Sequence, residues 1–424
     1  MSSKDINIKI CVLGLGYIGL PTASMFATHG YDVLGVDVRR DVVEKLNKGE
    51  IHIYEPGLST LVEAAVKSGN LKAVSSPEPS DAYIIAVPTP VTKEHKADMS
   101  YVENATKSII PFLRKGNIVI LESTSPPRTC LDLICPLLEG SGLKAGEDFF
   151  VAHSPERLMP GKILKELIGN DRIIGGINAV SSEKARDLYL AFAQGEIILT
   201  DSTTAEMTKL VENTFRDVNI ALVNELARIC DKINVSVWDV IKMANRHPRV
   251  HLHNPGPGVG GHCIAVDPWF IVEIAREESR LIQLAREIND SQPDYFISNI
   301  EKIIEKHGPG AITFFGLTYK PDVDDIRESP SFPIVRHFMN KGYDIKIYDP
   351  YVSPSGFPMA LSFREAVEYA RYLVFIVGHR EFALGNFSNA GKIIIDAGNI
   401  LVNCKVSSDC LRYTLGSGIT HSNA

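Results

Sequence analysis

The 424-residue sequence predicts an α/β fold with two doubly wound domains, joined by a long central helix and a helical linker region. Short apolar runs alternate with helical stretches in the first third of the chain, and the same alternation returns in the last third. Such alternation indicates mainly parallel sheets covered by helices. We therefore expect an N-terminal domain over 1–200, a central helical region over 201–300 and a C-terminal α/β domain over 301–424.

The composition limits the class of protein. Hydrophobic residues make up 45% of the chain, charged residues 22%, and the net charge is −7. This is typical of a globular chain with two or three cores, and without a basic excess we expect no nucleic-acid partner. No apolar run reaches the roughly 18 residues of a membrane span, and the N-terminal stretch predicts no signal peptide. Seven cysteines without a C-x-x-C pair favour a reducing, cytoplasmic setting.

Runs rich in β-branched residues mark the strands of both α/β parts. In the first part a glycine-rich turn follows the first run, and a helix is expected from Leu20. The predicted strands are Ile8–Leu13, Tyr31–Asp37, Ala82–Val87 and Ile118–Glu122 in the first part, and Ile312–Leu317, Tyr343–Tyr348, Tyr372–Val377 and Lys392–Asp396 in the last.

A long helix is predicted from Thr203 to Ile233, where neither glycine nor proline interrupts the chain. Apolar residues recur there every three to four positions, which leaves a stripe to bury and favours a homodimer face. These residues are Met207, Leu210, Val211, Phe215, Val218, Leu222, Leu226 and Ile229.

A dinucleotide-binding pattern follows the first predicted strand. Gly14, Gly16 and Gly19 form G-x-G-x-x-G between that strand and a helix, a pattern that allows a tight turn, a close approach of pyrophosphate and close helix packing. Asp37 ends the second strand, where an acid would accept the ribose hydroxyls, and this favours NAD over NADP. Arg39 and Arg40 weaken that preference. The first domain is therefore predicted to be Rossmann-like.

Cys263 stands behind glycines and prolines in the segment PGPGVGGHCIAVDPW (255–269). Beside a dinucleotide site, a thiolate allows an aldehyde to be oxidised further. It adds to the carbonyl carbon, the resulting thiohemiacetal releases a hydride, and a thioester remains. Asp267 could then orient the water that releases the acid.

Plainer interpretations of this segment stay open. A free cysteine is most often a small buried hydrophobic residue. Four nearby histidines suggest zinc, but their spacing matches no closed ligand set, so we expect no metal. They are His247, His251, His253 and His262.

Lys209, Asn213 and Arg216 share one face of the predicted long helix, at spacings of four and three residues. A lysine and an asparagine directed at a substrate could polarise its hydroxyl and stabilise an oxyanion. An ordinary solvated face is the alternative.

Taken together, the motifs resemble the UDP-glucose/GDP-mannose dehydrogenase family over nearly the whole chain. The resemblance implies an NAD-dependent, four-electron oxidation of a sugar nucleotide's C6 alcohol to a carboxylate, of the kind used in polysaccharide biosynthesis, by dimers or larger homo-oligomers. The matching segments are GLGYIGLP (14–21), AVPTP (86–90), ESTSPP (122–127), SPERLMPG (154–161), the long-helix segment 204–230, GPGVGGHCIAVDPWF (256–270) and GLTYKPDVDDIRESP (316–330).

The resemblance also implies roles for individual residues. Cys263 would be the nucleophile and Lys209 the acid/base or oxyanion partner, with Asn213, Thr124, Asp267 and Glu156 also in the catalytic group. The NAD contacts would come from Gly14, Gly16, Tyr17, Ile18, Gly19, Asp37, Arg39, Thr89, Thr124 and Arg327. The UDP-sugar contacts would come from Arg157, Leu158, Lys209, Asn213, Arg216, His247, Arg249, Gly260, Tyr319 and Lys320, with His247 and Arg249 reaching over from a partner subunit.

Within the family, three segments are most similar to members that act on UDP-N-acetyl-D-mannosamine: GEIHIYEPGL (49–58), SPERLMPG (154–161) and ANRHPRVHLHNPGPGVGGHCIAVDPWF (244–270). Pro160 occupies the position of a second carboxylate found in members that act on UDP-glucose, so no mechanism that needs this acid applies. UDP-N-acetylglucosamine, UDP-N-acetylgalactosamine and UDP-glucose remain alternative substrates. A two-electron, 6-phosphogluconate-type dehydrogenase and an NAD-sensing protein are the more distant alternatives.

Overall fold

The structure is a computed structural model that describes residues 8–92, 94–383, 391–404 and 410–418. The first seven residues, which belong to the first predicted domain and to the stretch considered for a signal peptide, lie outside the described residues. The last residues of the third predicted domain lie outside them as well. The chain divides into two compact units. The first contains the residues up to Glu212 together with Trp269–Arg276, and the second contains Asn213–Pro268 together with the residues from Glu277 onward.

The N-terminal sheet has eight strands in the order 3-2-1-4-5-6-7-8. Its first six strands have the Rossmann order, and helices cover both faces. The strands are β1 Lys9–Leu13, β2 Asp32–Val36, β3 Leu71–Val74, β4 Ala82–Ile85, β5 Ile118–Leu121, β6 Phe150–His153, β7 Arg172–Gly176 and β8 Ile197–Asp201. The helices are α1 Gly19–Thr28, α2 Arg40–Asn47, α3 Leu58–Lys67, α4 Ser100–Ile109, α5 Cys135–Glu139, α6 Ile163–Gly169 and α7 Ala179–Tyr189, with a 3-10 turn at Ile110–Phe112 and a π turn at Cys130–Ile134.

One pair in this sheet is antiparallel, because β7 runs against β6 while β8 runs parallel to β7. Strand β7 carries two glycines that leave no room for side chains. A Cβ atom on Gly175 would lie 2.2 Å from the Asp201 carbonyl oxygen, and one on Gly176 would lie 2.4 Å from the Ser182 nitrogen. The fold needs glycine at both positions. Glycine inside a strand also weakens the sequence pattern from which a strand is predicted.

The middle of the chain is helical. The predicted long helix is α8, which runs unbroken over 32 residues and packs on α11 through the buried Asp217–Arg286 ion pair at 2.6 Å. The elements are α8 Ser202–Ile233, α9 Val237–Ala244, α10 Asp267–Ile274, α11 Arg280–Asp290 and α12 Gln292–His307. Part of the predicted apolar stripe on α8 remains exposed, namely Val211, Phe215, Leu222, Ile229 and also Ile233.

The C-terminal sheet has five parallel strands in the order β10-β9-β11-β12-β13, which is the flavodoxin-like variant of a doubly wound sheet. Helices α12 and α13 pack on its core. The elements are β9 Ile312–Phe315, α13 Ser331–Asn340, β10 Ile345–Tyr348, α14 Phe363–Tyr369, β11 Tyr372–Phe375, α15 Arg380–Ala383, β12 Ile393–Asp396 and β13 Leu411–Thr414. The prediction of two α/β domains joined by a long central helix is confirmed. Among the described residues, none of the helices combines the length and the apolar character needed to span a membrane.

Candidate active site

The first turn of the N-terminal sheet has the backbone shape of a dinucleotide cradle. Gly14 follows β1 with a φ of +91°, and its N–H donates to the Val36 carbonyl oxygen at 2.8 Å. A Cβ atom on Gly14 would lie 2.6 Å from the Ala86 oxygen, and one on Gly19 would lie 1.9 Å from the Gly14 oxygen. Both positions require glycine, and this keeps α1 close to the strands.

Gly16 and Asp37 provide the space and the polarity that NAD needs. Among the described residues, no atom lies within 4 Å of a Cβ built on Gly16. The half-exposed Asp37 carboxylate accepts hydrogen bonds from the N–H of Leu15 at 3.1 Å and of Arg39 at 2.9 Å. The Arg39 guanidinium is paired with Asp41 at 2.6 Å. An open glycine at a helix start and an oriented carboxylate fit the pyrophosphate and the ribose of NAD.

The other residues predicted to bind NAD follow the strand ends of their own units. Tyr17 and Ile18 are half-buried just before α1. Thr89 and Thr124 are half-buried after β4 and β5, at the carboxyl edge of the sheet where doubly wound folds bind ligands. Arg327 is exposed and belongs to the second unit.

Cys263 differs from every other cysteine of the chain. It is the exposed one, whereas five are buried and Cys404 is half-buried. Burial raises the pKa of the Cys11 and Cys135 thiols to about 12, which keeps them protonated and unreactive. The buried-hydrophobe interpretation of Cys263 is therefore wrong.

The glycines before Cys263 leave room for the chain segment that begins at Tyr319. A Cβ atom on Gly260 would lie 2.9 Å from Tyr319 Cβ, and one on Gly261 would lie 2.8 Å from the Tyr319 ring. The Gly261 N–H also donates to the Arg327 carbonyl oxygen at 3.1 Å. The glycines thus admit the 319–330 segment against the loop, and the half-buried Tyr319 and Lys320 lie in that segment.

Asp267 begins helix α10, four residues after the thiol. Its N–H donates to the Cys263 carbonyl oxygen at 2.9 Å, so the turn that presents the cysteine continues into the helix. The Asp267 carboxylate is buried and accepts a hydrogen bond from the Asn213 amide, whose oxygen in turn accepts one from Arg216. The structure therefore assembles Asp267, Asn213 and Arg216 into one hydrogen-bonded row.

The helix face that carries Lys209 and Asn213 is not solvated. Lys209 is 9% exposed and Asn213 is 2% exposed, which excludes the plain surface interpretation. Within the described residues, the Lys209 ammonium has no hydrogen bond and no ion pair. A largely buried lysine side chain without a protein partner leaves its amino group available to a ligand.

The SPERLMPG segment forms a loop between β6 and α6 in the first unit. Glu156 is buried, forms an ion pair with the equally buried Arg172, and thus faces a fixed cation rather than solvent. Arg157 forms an ion pair with Glu212 at 2.9 Å and donates to the Asp171 carbonyl oxygen. Leu158 packs against the core of the unit.

A buried polar group that the sequence did not indicate supports this loop. Arg172 stacks on the Tyr189 ring with its central carbon 4.2 Å from the ring centre. The Tyr189 hydroxyl donates to Glu122 at 2.6 Å. Burial, with Glu156 nearby, raises the pKa of Glu122. These residues lie far apart in the sequence, so no spacing could have revealed the group, although Glu122 begins the ESTSPP motif.

The structure groups metal-type ligands elsewhere than the predicted histidines. Cys130, His153 and Glu206 are buried with their ligand atoms within 4.8 Å of one another. Glu206 already accepts the backbone N–H groups of Arg128 at 2.5 Å and of Cys130 at 2.9 Å, and thereby caps the π turn. This explains its burial without a metal. His247, three residues after the end of α9, and Arg249 are exposed.

The fold and the cradle define an NAD-dependent dehydrogenase. Models of three domains of one family match the chain: the NAD binding domain over 8–193, the central domain over 203–291 and the UDP binding domain over 313–403. The chain therefore belongs to the UDP-glucose/GDP-mannose dehydrogenase family.

Similar proteins cover almost the whole chain. A UDP-N-acetyl-D-mannosamine dehydrogenase of Methanocaldococcus jannaschii is 47% identical over 99% of both chains. An NDP-N-acetyl-D-galactosaminuronic acid dehydrogenase of Ralstonia nicotianae is 46% identical over 89% of this chain and 92% of its own. The solved structure of the UDP-D-ManNAc dehydrogenase from Pyrococcus horikoshii has a TM-score of 0.91 at 42% identity, and the match covers 97% of this chain and 100% of the other.

Proposed function

We propose that this protein oxidises C6 of UDP-N-acetyl-D-mannosamine from the alcohol to the carboxylate. The observation that carries the proposal is the 47% identity, over 99% of both chains, to a dehydrogenase named for that substrate. The corresponding UDP-N-acetylgalactosamine reaction is the second candidate, because a relative named for that sugar series is 46% identical.

The residues proposed to hold NAD are those of the cradle and the adjacent strand ends. They are Gly14, Gly16, Tyr17, Ile18, Gly19, Asp37, Arg39, Thr89 and Thr124, with Arg327 added from the second unit. When bound, NAD accepts one hydride in each of the two oxidations.

The chain's own residues handle the protons and the acyl group. Lys209 in its neutral amine form takes the hydroxyl proton as the first hydride leaves C6, and an aldehyde results. The Cys263 thiolate then forms a C–S bond to that carbon, and the carbonyl oxygen takes up a proton. Loss of that proton and of the second hydride leaves a thioester.

Water releases the acid in the last step. It attacks the thioester carbon, the C–S bond breaks, Cys263 leaves as thiolate, and Asp267 accepts the proton of the water. The buried hydrogen bond between Asn213 and Asp267 supports this role, because it orients the carboxylate. Thr124 is proposed to hold the reacting oxygen or the water. Glu156, with its pairing to Arg172, is proposed to support the loop.

The sugar nucleotide is proposed to contact cationic and polar residues from several segments. Its pyrophosphate carries negative charge, and a chain with a net charge of −7 must concentrate local cations to bind it. The proposed residues are Arg157, Leu158, Lys209, Asn213, Arg216, His247, Arg249, Gly260, Tyr319 and Lys320.

We also propose a homodimer or a larger homo-oligomer in the cytoplasm. The exposed stripe of α8 supports the assembly, because Phe215 is 63% exposed and Leu222 is 44% exposed on one helix face. Seven cysteines without a C-x-x-C pair support a reducing compartment. The proposed regions are 1–200 for NAD, 201–300 for dimerisation and substrate, and 301–424 for UDP, and the three family matches support them.

The test offers a panel of UDP-sugars with NAD and counts the NADH formed per sugar. The four-electron reaction yields two, a simple alcohol oxidation yields one, and a sensor yields none. We expect two with UDP-N-acetyl-D-mannosamine. A single NADH, or a clear preference for UDP-glucose, would contradict the proposal.

Two substitutions test the assigned chemistry. Cys263→Ser should stop acid formation, retain nucleotide binding and abolish the thioester adduct in mass spectra of quenched turnover. Lys209→Ala should lower kcat by about 100-fold or more, as expected for loss of a general acid/base. Acid formation at the wild-type rate by either variant would remove the corresponding residue from the mechanism.

A further inference from the structure

The segment IHIYEPGL (51–58) joins α2 to α3, and none of its residues has a role in the proposed chemistry. Within it, Glu55 is 3% exposed, which is unusual for a carboxylate without a cationic partner. Its Oε2 accepts the Gly161 N–H at 2.8 Å and its Oε1 accepts the Ile163 N–H at 2.8 Å. Both donors belong to the end of the SPERLMPGK loop, more than 100 residues away.

The Glu55 carboxylate caps helix α6 in place of a local residue. The N-cap position, Lys162, makes no side-chain hydrogen bond. A capping carboxylate satisfies N–H groups that the helix itself leaves without acceptors. The end of the loop is therefore fixed by a residue of another segment.

Two other hydrogen bonds near this end of the loop come from α6 and its C-cap. Glu166 accepts the Met159 N–H at 2.7 Å, and Asn170 donates to the Arg157 carbonyl oxygen at 3.0 Å. Gly161 has a φ of +87°, which only glycine adopts without strain. Glu166 and Asn170 come from α6 and its C-cap. The ion pairs of Glu156 and Arg157 hold the first half of the loop, and Glu55 anchors its last residues to the rest of the first unit.

Apolar contacts reinforce the same junction. Ile53 and Leu58 join the first core, and so do Leu158 and Leu164 from the loop and α6. A Cβ atom on Gly57 would approach the Leu164 side chain to 3.3 Å, so the two segments lie close together. The 51–58 segment thus packs directly against the loop and the start of α6.

We propose that Glu55 is a positioning residue for the sugar nucleotide. It acts through the backbone of Gly161 and Ile163, and it fixes the loop that presents Arg157 and Leu158. The inference rests on the proposed function, which assigns Arg157 and Leu158 to the substrate pocket. Glu55 itself touches no reacting group.

The test compares Glu55→Gln with Glu63→Gln. Glu63 lies on α3 with its side chain 53% exposed in a surface pair with Lys67, so the same chemical change there serves as the control. A glutamine at position 55 keeps one acceptor oxygen and loses the other. We expect KM for UDP-N-acetyl-D-mannosamine to rise about tenfold, as for one lost charge-assisted hydrogen bond, with KM for NAD within about twofold.

Hydrogen exchange of the peptide covering 157–163 gives a readout that does not require turnover. In E55Q the Gly161 and Ile163 amides should exchange faster than in wild type, and in E63Q they should not. If wild type oxidises no UDP-sugar, the proposed function fails while the exchange result still tests the anchor. Unchanged KM values, equal rises in both KM values, unchanged exchange, or an E55Q protein that does not fold would each overturn the proposal.

Discussion

The first turns of the two sheets have the same backbone design but use their acid differently. After β1, Gly14 has a φ of +91° and donates to the last residue of β2. After β9, Gly316 has a φ of +94° and donates to the Tyr348 carbonyl oxygen at 2.9 Å. In each turn a carboxylate at the end of the second strand then accepts the next N–H. It is Asp37 at 3.1 Å in the first domain and Asp349 at 2.7 Å in the second.

The environment of the two acids differs. Asp37 is half-exposed and, among the described residues, accepts hydrogen bonds from backbone N–H groups alone, so it retains acceptor capacity for ribose hydroxyls. Asp349 is buried and contacts the His379 ring at 3.1 Å in addition to its backbone donors. In the second turn the carboxylate is therefore already hydrogen-bonded to groups of its own domain.

This difference indicates how the same turn geometry can serve two domains with different ligands. An acid that is left open can bind a dinucleotide, whereas an acid that is occupied stabilises its own domain. The second domain must then recognise its ligand through other groups, and Tyr319 and Lys320 follow its first turn directly. The domain model for this part of the chain is described as UDP binding.

Substituting the turn glycines should separate the two domains most strongly. Gly14→Ala places a Cβ 2.6 Å from the Ala86 oxygen at a φ that alanine rarely adopts, and Gly316→Ala places one 2.5 Å from Val377 Cβ. The strain and the clash together should weaken NAD binding by about 100-fold in the first variant and UDP binding by a similar factor in the second. Calorimetric titration with NAD and with UDP measures both affinities. Loss of both NAD and UDP binding in either variant would contradict the assignment of NAD to the first domain and UDP to the second.

The two acids should give a reciprocal result. Asp37→Asn removes the charged ribose acceptor and should raise KM for NAD about 10- to 100-fold, with little loss of stability. Asp349→Asn breaks a buried hydrogen-bonded pair with His379 and should lower the free energy of unfolding by about 2–3 kcal/mol, with KM for NAD unchanged. Urea titration and steady-state kinetics of both variants test this. Similar effects of the two substitutions would show that Asp349 is open as well.

The domains should respond to pH in opposite directions. Burial raises the pKa of Glu206 in the first domain from 4.5 to about 7, so the folded state holds a proton that the unfolded chain releases. Its stabilising contribution is therefore full below pH 4.5 and is lost as the pH rises toward 7. For Asp349, burial is the largest single influence and raises the pKa, but the hydrogen bonds from His379 and from the backbone N–H groups of Leu317 and Tyr351 together outweigh it, so the pKa is lowered from 3.8. That contribution is full above pH 3.8 and is lost as the pH falls further.

Hydrogen exchange between pH 3 and 8, corrected for the intrinsic rate, can follow the two sheets separately. Strands β5 and β9 report on the first and the second domain. For the first domain the expected change is at most about 3 kcal/mol, from roughly 1.4 kcal/mol for each pKa unit between 4.5 and about 7. For the second domain the expected result is the direction of the change. Glu206→Gln should flatten the first profile and Asp349→Asn the second. Parallel profiles in the two domains would contradict the assignment.

Arg39 should have the smallest effect. Its guanidinium is exposed and paired with Asp41, and it leaves Asp37 to its backbone donors. Arg39→Ala should therefore change KM for NAD by less than about threefold, since exposed pairs contribute little. A larger rise would show that Arg39 contacts the adenosine end directly.

Strands with continuous β-branched sequence were predictable, and those with mixed sequence were not. The strand IVIL of β5 is an unambiguous apolar run, but RIIGG of β7 contains two glycines that only tertiary contacts explain. Strand β8 is an exposed edge strand, and its residues show no clear alternation of apolar and polar side chains. Its pairing with β7 also depends on the tertiary structure rather than on its own composition.

In the site, a similar division holds. Gly14, Asp37 and Cys263 belong to local motifs whose chemistry depends on neighbours in the sequence. Arg172 pairs with Glu156, 16 residues away, and Glu55 bonds to the Gly161 N–H, more than 100 residues away. A single sequence contains no signal for such pairings.

The sequence alone indicated the two α/β domains, the long helix, the cofactor turn and the candidate nucleophile Cys263, because each is encoded by periodicity or by residues within one turn of chain. Only the tertiary structure decided which carboxylates are open or occupied, which glycines are required by packing, and which distant side chains hold the SPERLMPG loop. These properties depend on burial and on hydrogen-bond partners, and both arise only when separate segments come into contact.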